Sequence, residues 1–191
     1  MKKVAFIVPG YTETPERKGV DEISKRLAQQ SFETVKVNID WRYKIMSDYV
    51  VQFNELYNSK SGDFNLVLGF SFGAMIATIS AAKFCPDRLV LCSLSPFFAE
   101  DMETIPDSWA KSIGKHRAAD FKSFSLLEAG KKIKSKTTLL VGEKESVREP
   151  EMMTVAKRAN SVIRESTLKV VPNGKHDIGQ KEYLSAIMEI I

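Results

Sequence analysis

Short apolar segments recur along this chain, and segments with the periodicity of amphipathic helices separate them. Apolar runs of about 4–8 residues bounded by turn residues are typical of buried strands. Strands are predicted at residues 4–8, 34–39, 66–70, 89–94, 137–141 and 168–171, and helices at 16–30, 47–57, 72–84, 149–160 and 183–191. Parallel strands joined by right-handed helical crossovers bury both faces of their sheet. The alternation therefore predicts an α/β fold, with a six-stranded, mostly parallel sheet in a three-layer αβα architecture.

One long connection, between residues 97 and 127, interrupts this alternation. Connections of that length usually carry secondary structure of their own, so one or two helices are predicted there. The sequence holds no repeat, low-complexity tract or flexible linker that would mark a second domain. We therefore expect a single domain over residues 1–191 with a small helical insertion at about 97–127.

The charge of the chain argues against nucleic acid as a partner. There are 28 Lys and Arg residues against 24 Asp and Glu, and this small excess is spread along the sequence. The densest basic run is Lys131, Lys132, Lys134 and Lys136, which falls where a helix ends and a strand begins. Positive charge is favourable at a helix C-terminus, and no aromatic platform accompanies the run, so it indicates a solvated helix end.

The cysteines and the N-terminus predict the compartment. Cys85 and Cys92 lie in apolar surroundings without metal-ligand spacing, which is typical of reduced thiols in a cytoplasmic protein. The apolar run at residues 4–8 is too short for a signal peptide or a membrane span. We accordingly expect a soluble cytoplasmic protein that uses no cofactor and no metal and has neither a membrane nor a nucleic acid as its partner.

The pentapeptide Gly69-Phe70-Ser71-Phe72-Gly73 lies where a predicted strand meets a predicted helix. A serine in such a turn has a strained backbone that lifts its hydroxyl clear of the sheet, and glycines on both sides let strand and helix approach. The helix N-terminus also supplies partial positive charge where an oxyanion would form. The five residues alone also fit an ordinary glycine-containing turn, but their position between two apolar elements favours a nucleophile elbow with Ser71 as the nucleophile.

A serine nucleophile needs a base, and His176 lies in the loop after the last predicted strand. The carboxyl ends of parallel strands meet at one edge of a sheet, so Ser71 and His176 can come together there. The other histidine, His116, falls in the insertion. His176 is therefore the candidate base.

The third candidate is a carboxylate that would fix the imidazole tautomer. The strand at 137–141 runs into Gly142-Glu143-Lys144-Glu145 at the same edge of the sheet. Glu145 has turned the corner toward the neighbouring loop and is favoured, while Glu143 and Asp101 remain alternatives. Asp177 is adjacent to His176, where geometry makes a bond to the ring difficult.

An oxyanion hole needs two backbone N–H groups, one of them normally from the residue after the nucleophile, which is Phe72. Val8-Pro9-Gly10-Tyr11 ends the first predicted strand, and Gly10 would let this loop approach closely. The Tyr11 N–H is then the natural second donor, with an ordinary Pro-Gly turn as the alternative.

Side chains of the insertion and of the loops suggest features of the substrate. The candidates for the wall of an acyl pocket are Phe97, Phe98 and Trp109, although a small core beneath the insertion would use the same residues. Cations near the predicted site, which suggest an anionic group on the substrate, are Arg42, Lys44 and Lys175.

Together these features resemble the α/β-hydrolase superfamily, and the resemblance spans essentially the whole chain. It rests on the elbow at residues 69–73 and on the order Ser71, Glu145, His176. It also rests on Pro9-Gly10-Tyr11 in the place of the family's His-Gly oxyanion loop, and on residues 142–145 in the place of its usual Gly-x-x-Asp. The resemblance implies the strand order 2-1-3-4-5-6.

The departures from the family pattern concern the loops and the length. Pro9 stands where many members have His, and Glu145 replaces the commoner Asp. The two antiparallel strands that lead many members are expected to be absent. The chain is thus most similar to compact, nearly lidless serine hydrolases and esterases, such as those of the retinoblastoma-binding-protein-9 type.

The activity implied is that of a serine hydrolase with a Ser-His-Glu triad, acting on a small carboxylic ester or thioester through an acyl-enzyme. Two alternatives remain at this point. One is a non-catalytic protein that uses the same cleft to bind a ligand or partner, and the other is an acyltransferase that passes the acyl group to an alcohol or amine.

Overall fold

Six strands form one sheet in the order β2-β1-β3-β4-β5-β6 in the computed structural model, which describes residues 1–104, 111 and 113–191. Every neighbouring pair is parallel. The strands are β1 Lys3–Val8, β2 Glu33–Lys36, β3 Phe64–Phe70, β4 Arg88–Cys92, β5 Lys136–Gly142 and β6 Ser166–Val171. The predicted α/β class and strand order are confirmed.

Helices cover both faces of this sheet. They are α1 Lys18–Gln29, α2 Met46–Lys60, α3 Phe72–Phe84, α4 Lys115–Phe121, α5 Leu126–Lys132, α6 Glu143–Arg148, α7 Pro150–Val162 and α8 Lys181–Met188. Helices α1 and α8 pack on one face, and α2, α3 and α7 pack on the other. Within the described part of the chain, no helix combines the length and the apolar character needed to cross a bilayer.

The inner strands β1, β3, β4 and β5 are mostly apolar because both of their faces are buried, whereas the edge strands β2 and β6 are partly exposed. In β1, the side chains of Phe6 and Val8 enter the core beneath α2 and α3, whereas Ala5 and Ile7 enter the core beneath α1 and α8. All of these residues have no solvent exposure, which explains why the strand lacks the alternation of a half-exposed sheet. Helix α3 is apolar on most sides for the same reason, since it lies between the sheet, α2 and α5.

Some boundaries differ from those predicted. Strand β2 ends at Lys36, three residues earlier than expected, although the Val37 N–H still donates to the Ile7 carbonyl oxygen at 2.9 Å. Helix α6 was not predicted, because six residues are too few to show a helical period. The described part of the insertion holds α4 and the start of α5.

The strand register aligns the C-terminal ends of the strands. In the register of β1 with β3 and of β3 with β4, Val8 lies opposite Gly69 and Phe70 lies opposite Cys92. In the register of β5 with β6, Gly142 lies opposite Val171. The loops that leave β1, β3, β4, β5 and β6 therefore start from one edge, which is where parallel α/β sheets bind ligands.

We expect the substitution Phe6→Ala to lower the free energy of unfolding by about 3–5 kcal/mol, because it opens a cavity in the larger core. Phe6 is fully buried and its ring packs against Phe53 and Tyr57, at centroid distances of 5.9 and 5.0 Å. Val51→Ala on α2, where the side chain is 53% exposed, is the control and should cost less than about 0.5 kcal/mol. Urea unfolding of both variants measures the difference, and equal losses would contradict this account of the core.

Candidate active site

Ser71 lies between β3 and α3 in a backbone conformation that non-glycine residues rarely adopt, with φ 56° and ψ −120°. Its N–H continues the β3–β4 ladder by donating to the Cys92 carbonyl oxygen at 2.9 Å. A Cβ atom on Gly73 would collide with the Val8 carbonyl oxygen, and one on Gly69 would collide with the backbone of Gly73. Gly69 therefore lets β3 and α3 meet closely enough to hold the serine in this strained turn, and Gly73 lets the start of α3 approach the end of β1.

His176 lies in the loop after β6, and its Nε2 atom is 3.1 Å from Ser71 Oγ. Its ring packs on Phe70, with the two centroids 5.0 Å apart, and its side chain is 40% exposed. In the tautomer with the proton on Nδ1, Nε2 accepts a hydrogen bond from the serine hydroxyl. The arrangement can thus move a proton from Ser71 to the imidazole.

Glu145 lies in the first turn of α6 with its side chain fully buried. Its Oε2 atom accepts hydrogen bonds from Ser93 Oγ at 2.8 Å and from the Gly142 N–H at 3.3 Å. Its Oε1 atom faces His176 Nδ1 at 3.4 Å and has no hydrogen bond to any other described residue. Because a buried carboxylate oxygen needs a donor, and catalytic hydrogen bonds are often long before substrate binds, the imidazole N–H is the fitting partner.

The competing carboxylates have partners elsewhere. Asp101 pairs with Arg158, and burial raises the pKa of Asp101 while the guanidinium opposes that rise. Glu143 accepts a hydrogen bond from the Asn173 N–H at 2.8 Å. The structure therefore brings Glu145, and neither of these two, to the imidazole.

A close contact between two glycines holds the loops of the acid and the base together. The N–H groups of Lys144 and Glu145 both donate to the Gly174 carbonyl oxygen, at 2.9 and 3.2 Å. A Cβ atom on Gly142 would lie 2.5 Å from that oxygen, and one on Gly174 would lie 2.9 Å from the Gly142 Cα atom. This pair was not predicted from the sequence, although a glycine in each of two loops that follow strands is the signal of a close contact between their backbones.

Ser93 and Tyr183 form a buried relay behind Glu145 that the sequence analysis also missed. Ser93 follows β4 directly, at φ 51°, and its Oγ atom lies 2.7 Å from the Tyr183 hydroxyl on α8. Because Ser93 gives its proton to Glu145, it accepts one from Tyr183. Burial, and then the charge of Glu145, raise the pKa of Tyr183 well above its ordinary value, which keeps this donor protonated.

A chain of charges joins the loop after β1 to the loop that carries the base. Glu13 accepts a hydrogen bond from the Gly10 N–H at 3.0 Å and pairs with Arg17. Arg17 in turn donates to Asp177 at 3.0 Å, one residue after His176. Asp177 is thus engaged away from the imidazole, and the first loop is tied to the last.

The candidate oxyanion donors, Tyr11 and Phe72, lie next to each other, with ring centroids 5.2 Å apart. Within the residues that the structure describes, none accepts a hydrogen bond from the backbone N–H of either residue. Both donors are therefore available to a bound oxygen atom. Ser95 is a further neighbour, with its Oγ atom 3.3 Å from Ser71 Oγ.

Solved structures share this architecture across almost the whole chain. Est1E from Butyrivibrio proteoclasticus matches 98% of this chain and 86% of its own, with a TM-score of 0.81 and 14% identity. The chain has the α/β-hydrolase fold. Mouse alpha/beta hydrolase domain-containing protein 10 matches 96% of this chain and 86% of its own, with a TM-score of 0.78 and 10% identity. The esterase EaEST from Exiguobacterium antarcticum matches 100% of this chain and 90% of its own, with a TM-score of 0.73 and 15% identity. No protein-family model and no curated protein matches the sequence.

In this α/β-hydrolase fold an open cleft of about 260 Å³ lies over the serine. It is lined by Ser71, Phe72, Ser95, Pro96, Phe97, Glu149, Met152 and His176. Of the residues expected to wall an acyl pocket, Phe97 lines the cleft and also stacks on Phe121 at 5.2 Å. Phe98 is fully buried in the core and does not line the cleft, because its N–H binds Asp101 and its ring points inward, which corrects the prediction. Trp109 lies outside the described residues.

The three cations expected near the site lie in different parts of the structure. Arg42 pairs with Asp40 at 3.6 Å, and Lys44 lines a different cavity together with His116. Lys175 lies beside the imidazole, in a cavity next to the cleft. Lys175 is thus the one of the three that the structure brings to the candidate site.

Metal ligands do not cluster in the part of the chain that the structure describes, where no three His, Cys, Asp or Glu side chains could share an ion. Cys85 and Cys92 are both free thiols. Burial raises the pKa of Cys92 far above its ordinary value, so this residue is an inert thiol.

We expect Ser93→Ala to lower the free energy of unfolding by about 1–3 kcal/mol, because it removes a donor from a buried carboxylate. The hydroxyl of Ser80 on α3 is also buried but has no hydrogen-bond partner among the described residues, so Ser80→Ala is a matched control with a cost below about 0.5 kcal/mol. Urea unfolding of the two variants gives the comparison. A loss for Ser80→Ala as large as that for Ser93→Ala would show that the bond to Glu145 is not the cause.

Proposed function

We propose that this protein is a serine hydrolase that cleaves small carboxylic esters or thioesters through a Ser71-His176-Glu145 triad. The observation that carries the proposal is the unbroken line of polar atoms at the sheet edge. Ser71 Oγ lies 3.1 Å from His176 Nε2, and His176 Nδ1 lies 3.4 Å from a fully buried carboxylate oxygen. A strained serine, an aligned base and a buried acid together fit nucleophilic acyl transfer.

In the first step the Ser71 oxygen attacks the carbonyl carbon of the substrate while His176 takes the serine proton. The charge of Glu145 stabilises the imidazolium that forms. The carbonyl oxygen becomes an oxyanion, and the N–H groups of Tyr11 and Phe72 donate to it. His176 then returns the proton to the leaving oxygen or sulfur, and the acyl group stays on Ser71.

In the second step water enters the open cleft and attacks the acyl-enzyme. His176 takes a proton from this water, the oxyanion forms again on the same two donors, and the Ser71 oxygen leaves with the proton from the imidazole. The products are a carboxylic acid and the free serine. The openness of the cleft to solvent supports water as the acceptor.

The substrate class is proposed from the cleft and from proteins that share the fold. Phe72, Phe97 and Met152 form an apolar wall beside Ser71, which suits a small acyl chain. Several structures with this fold are esterases, and one of them, Est1E, is known with ferulic acid bound. A carboxylic ester or thioester with an apolar acyl group is the substrate that these observations support.

The free thiols Cys85 and Cys92 support a reducing compartment, and we extend the proposal to a cytoplasmic location.

The decisive experiment is intact-mass measurement after treatment with a fluorophosphonate. We expect one adduct on the natural protein and none on Ser71→Ala, whose kcat with an ester should fall by roughly 10⁴–10⁶. Ser95→Ala, which removes the neighbouring hydroxyl, should still form the adduct. An adduct that persists in Ser71→Ala, or its absence from the folded natural protein, would overturn the proposal.

The identity of the acid is tested by comparing Glu145→Gln with Asp101→Asn. Glu145→Gln should lower kcat by roughly 10⁴, because an amide neither orients the imidazole correctly nor stabilises its charged form. Asp101→Asn breaks a pair with Arg158 and should lower the Tm while most of kcat remains. Rates measured below the Tm of each variant separate the two effects, and the reverse result would reassign the acid to Asp101.

A further inference from the structure

A second cavity lies beside the cleft on the other side of the base. It has a volume of about 230 Å³ and is lined by Lys144, Glu145, Arg148, Glu149, Lys175 and His176. His176 and Glu149 line both this cavity and the cleft over Ser71. The imidazole and the Glu149 side chain therefore lie between the two spaces, which are neighbours at the candidate site.

The second cavity carries an excess of positive charge. None of its cations, Lys144, Arg148 and Lys175, forms an ion pair with a described residue. Of its carboxylates, Glu145 is fully buried and faces His176, which leaves only Glu149 to oppose the cations. An anionic group that enters this space meets three cations that have no ion-pair partner among the described residues.

The cleft over Ser71 has no lysine or arginine among the described residues that line it. Phe72, Pro96, Phe97 and Met152 give it apolar walls, and Glu149 is the one carboxylate or cation among the described residues that line it. A negative charge on the acyl group would lie near Glu149 and would be repelled. The two spaces thus differ in the kind of group they accept.

The transfer of a proton from His176 indicates which half of the substrate lies in the cleft and which half lies toward the second cavity. His176 gives its proton to the leaving group, so the leaving group must lie against the imidazole, whereas the acyl group stays beside Ser71 and the donor at Phe72. We propose that the substrate joins a small apolar acyl group to an alcohol or thiol bearing a carboxylate or phosphate, and that Lys144, Arg148 and Lys175 bind this anionic group. This inference rests on the proposed hydrolase function.

The size of the effect follows from the exposure of these cations. An exposed ion pair changes an equilibrium by a factor of roughly 1.5–5, so three of them give a preference of roughly 3–125-fold in kcat/KM. Salt screens such interactions, and the preference should fall toward one when the ionic strength rises from about 0.01 M to about 0.5 M.

The test uses esters that differ only in charge. We expect kcat/KM for 4-carboxyphenyl butyrate to exceed that for 4-carbamoylphenyl butyrate by roughly 3–125-fold at low salt, after each rate is divided by the rate of hydroxide-catalysed hydrolysis. The 4-phosphonophenyl ester separates the two anions, since a larger preference for it indicates a phosphate. With the charge moved to the acyl side, phenyl hydrogen succinate should be cleaved more slowly than phenyl butyrate.

Two double variants are compared, and each removes two positive charges, one variant at each edge of the sheet. Lys144→Gln/Arg148→Gln should reduce the ratio of the carboxyl to the carbamoyl ester by roughly 2–25-fold. Lys134→Gln/Arg164→Gln removes two exposed cations that precede β5 and β6 at the opposite edge, and should leave the ratio unchanged. Using a ratio cancels any general loss of activity.

Two outcomes contradict different claims. If the carbamoyl ester is cleaved as well as the carboxyl ester at low salt, or if both double variants change the ratio equally, the anion-binding role is overturned while the hydrolase stands. If no ester is cleaved and Ser71 forms no fluorophosphonate adduct, the hydrolase proposal fails and this inference fails with it.

Discussion

The burial of one carboxylate is the constraint around which the candidate site is built. A charged Glu145 away from water is tolerated only if donors surround it, and the structure supplies the Ser93 hydroxyl, the Gly142 N–H and the imidazole of His176. The Gly142 N–H lies three residues before Glu145 itself, whereas Ser93 and His176 lie in two other loops at the same sheet edge. The need to satisfy one buried charge thus fixes the positions of three loops, and the base is aligned as a result.

Backbone contacts make that arrangement possible. The strained Ser71 turn exists because Gly69 lets β3 and α3 approach and Gly73 lets α3 approach the end of β1, and the loops of Glu145 and His176 touch through Gly142 and Gly174. In these places a side chain would occupy the space of a backbone atom. The candidate site is consequently set by the fold of the main chain at the ends of β3, β5 and β6, and the side chains complete it.

Much of this could be predicted from sequence because it depends on local patterns. Apolar runs mark the strands, the alternation of strands and helices indicates a mostly parallel sheet, and the strand order is implied by the resemblance to α/β-hydrolases. The elbow around Ser71 and the histidine after β6 are likewise visible. The relay from Tyr183 to Ser93 is not, since it joins residues 90 positions apart whose roles depend on side-chain packing. Phe98 shows the same limit, because hydrophobicity cannot distinguish a cleft wall from a core.

The pairing of Glu13, Arg17 and Asp177 connects the loop after β1 to the loop after β6. β1 and β6 are separated by three strands in the sheet, yet this chain of charges connects the loop that holds Tyr11 to the loop that holds His176. The loops around Ser71 are therefore connected to one another and are not independent. Salt screens ion pairs between partly exposed groups such as Arg17 and Asp177, so the connection between the loop of Tyr11 and the loop of His176 weakens as the ionic strength rises.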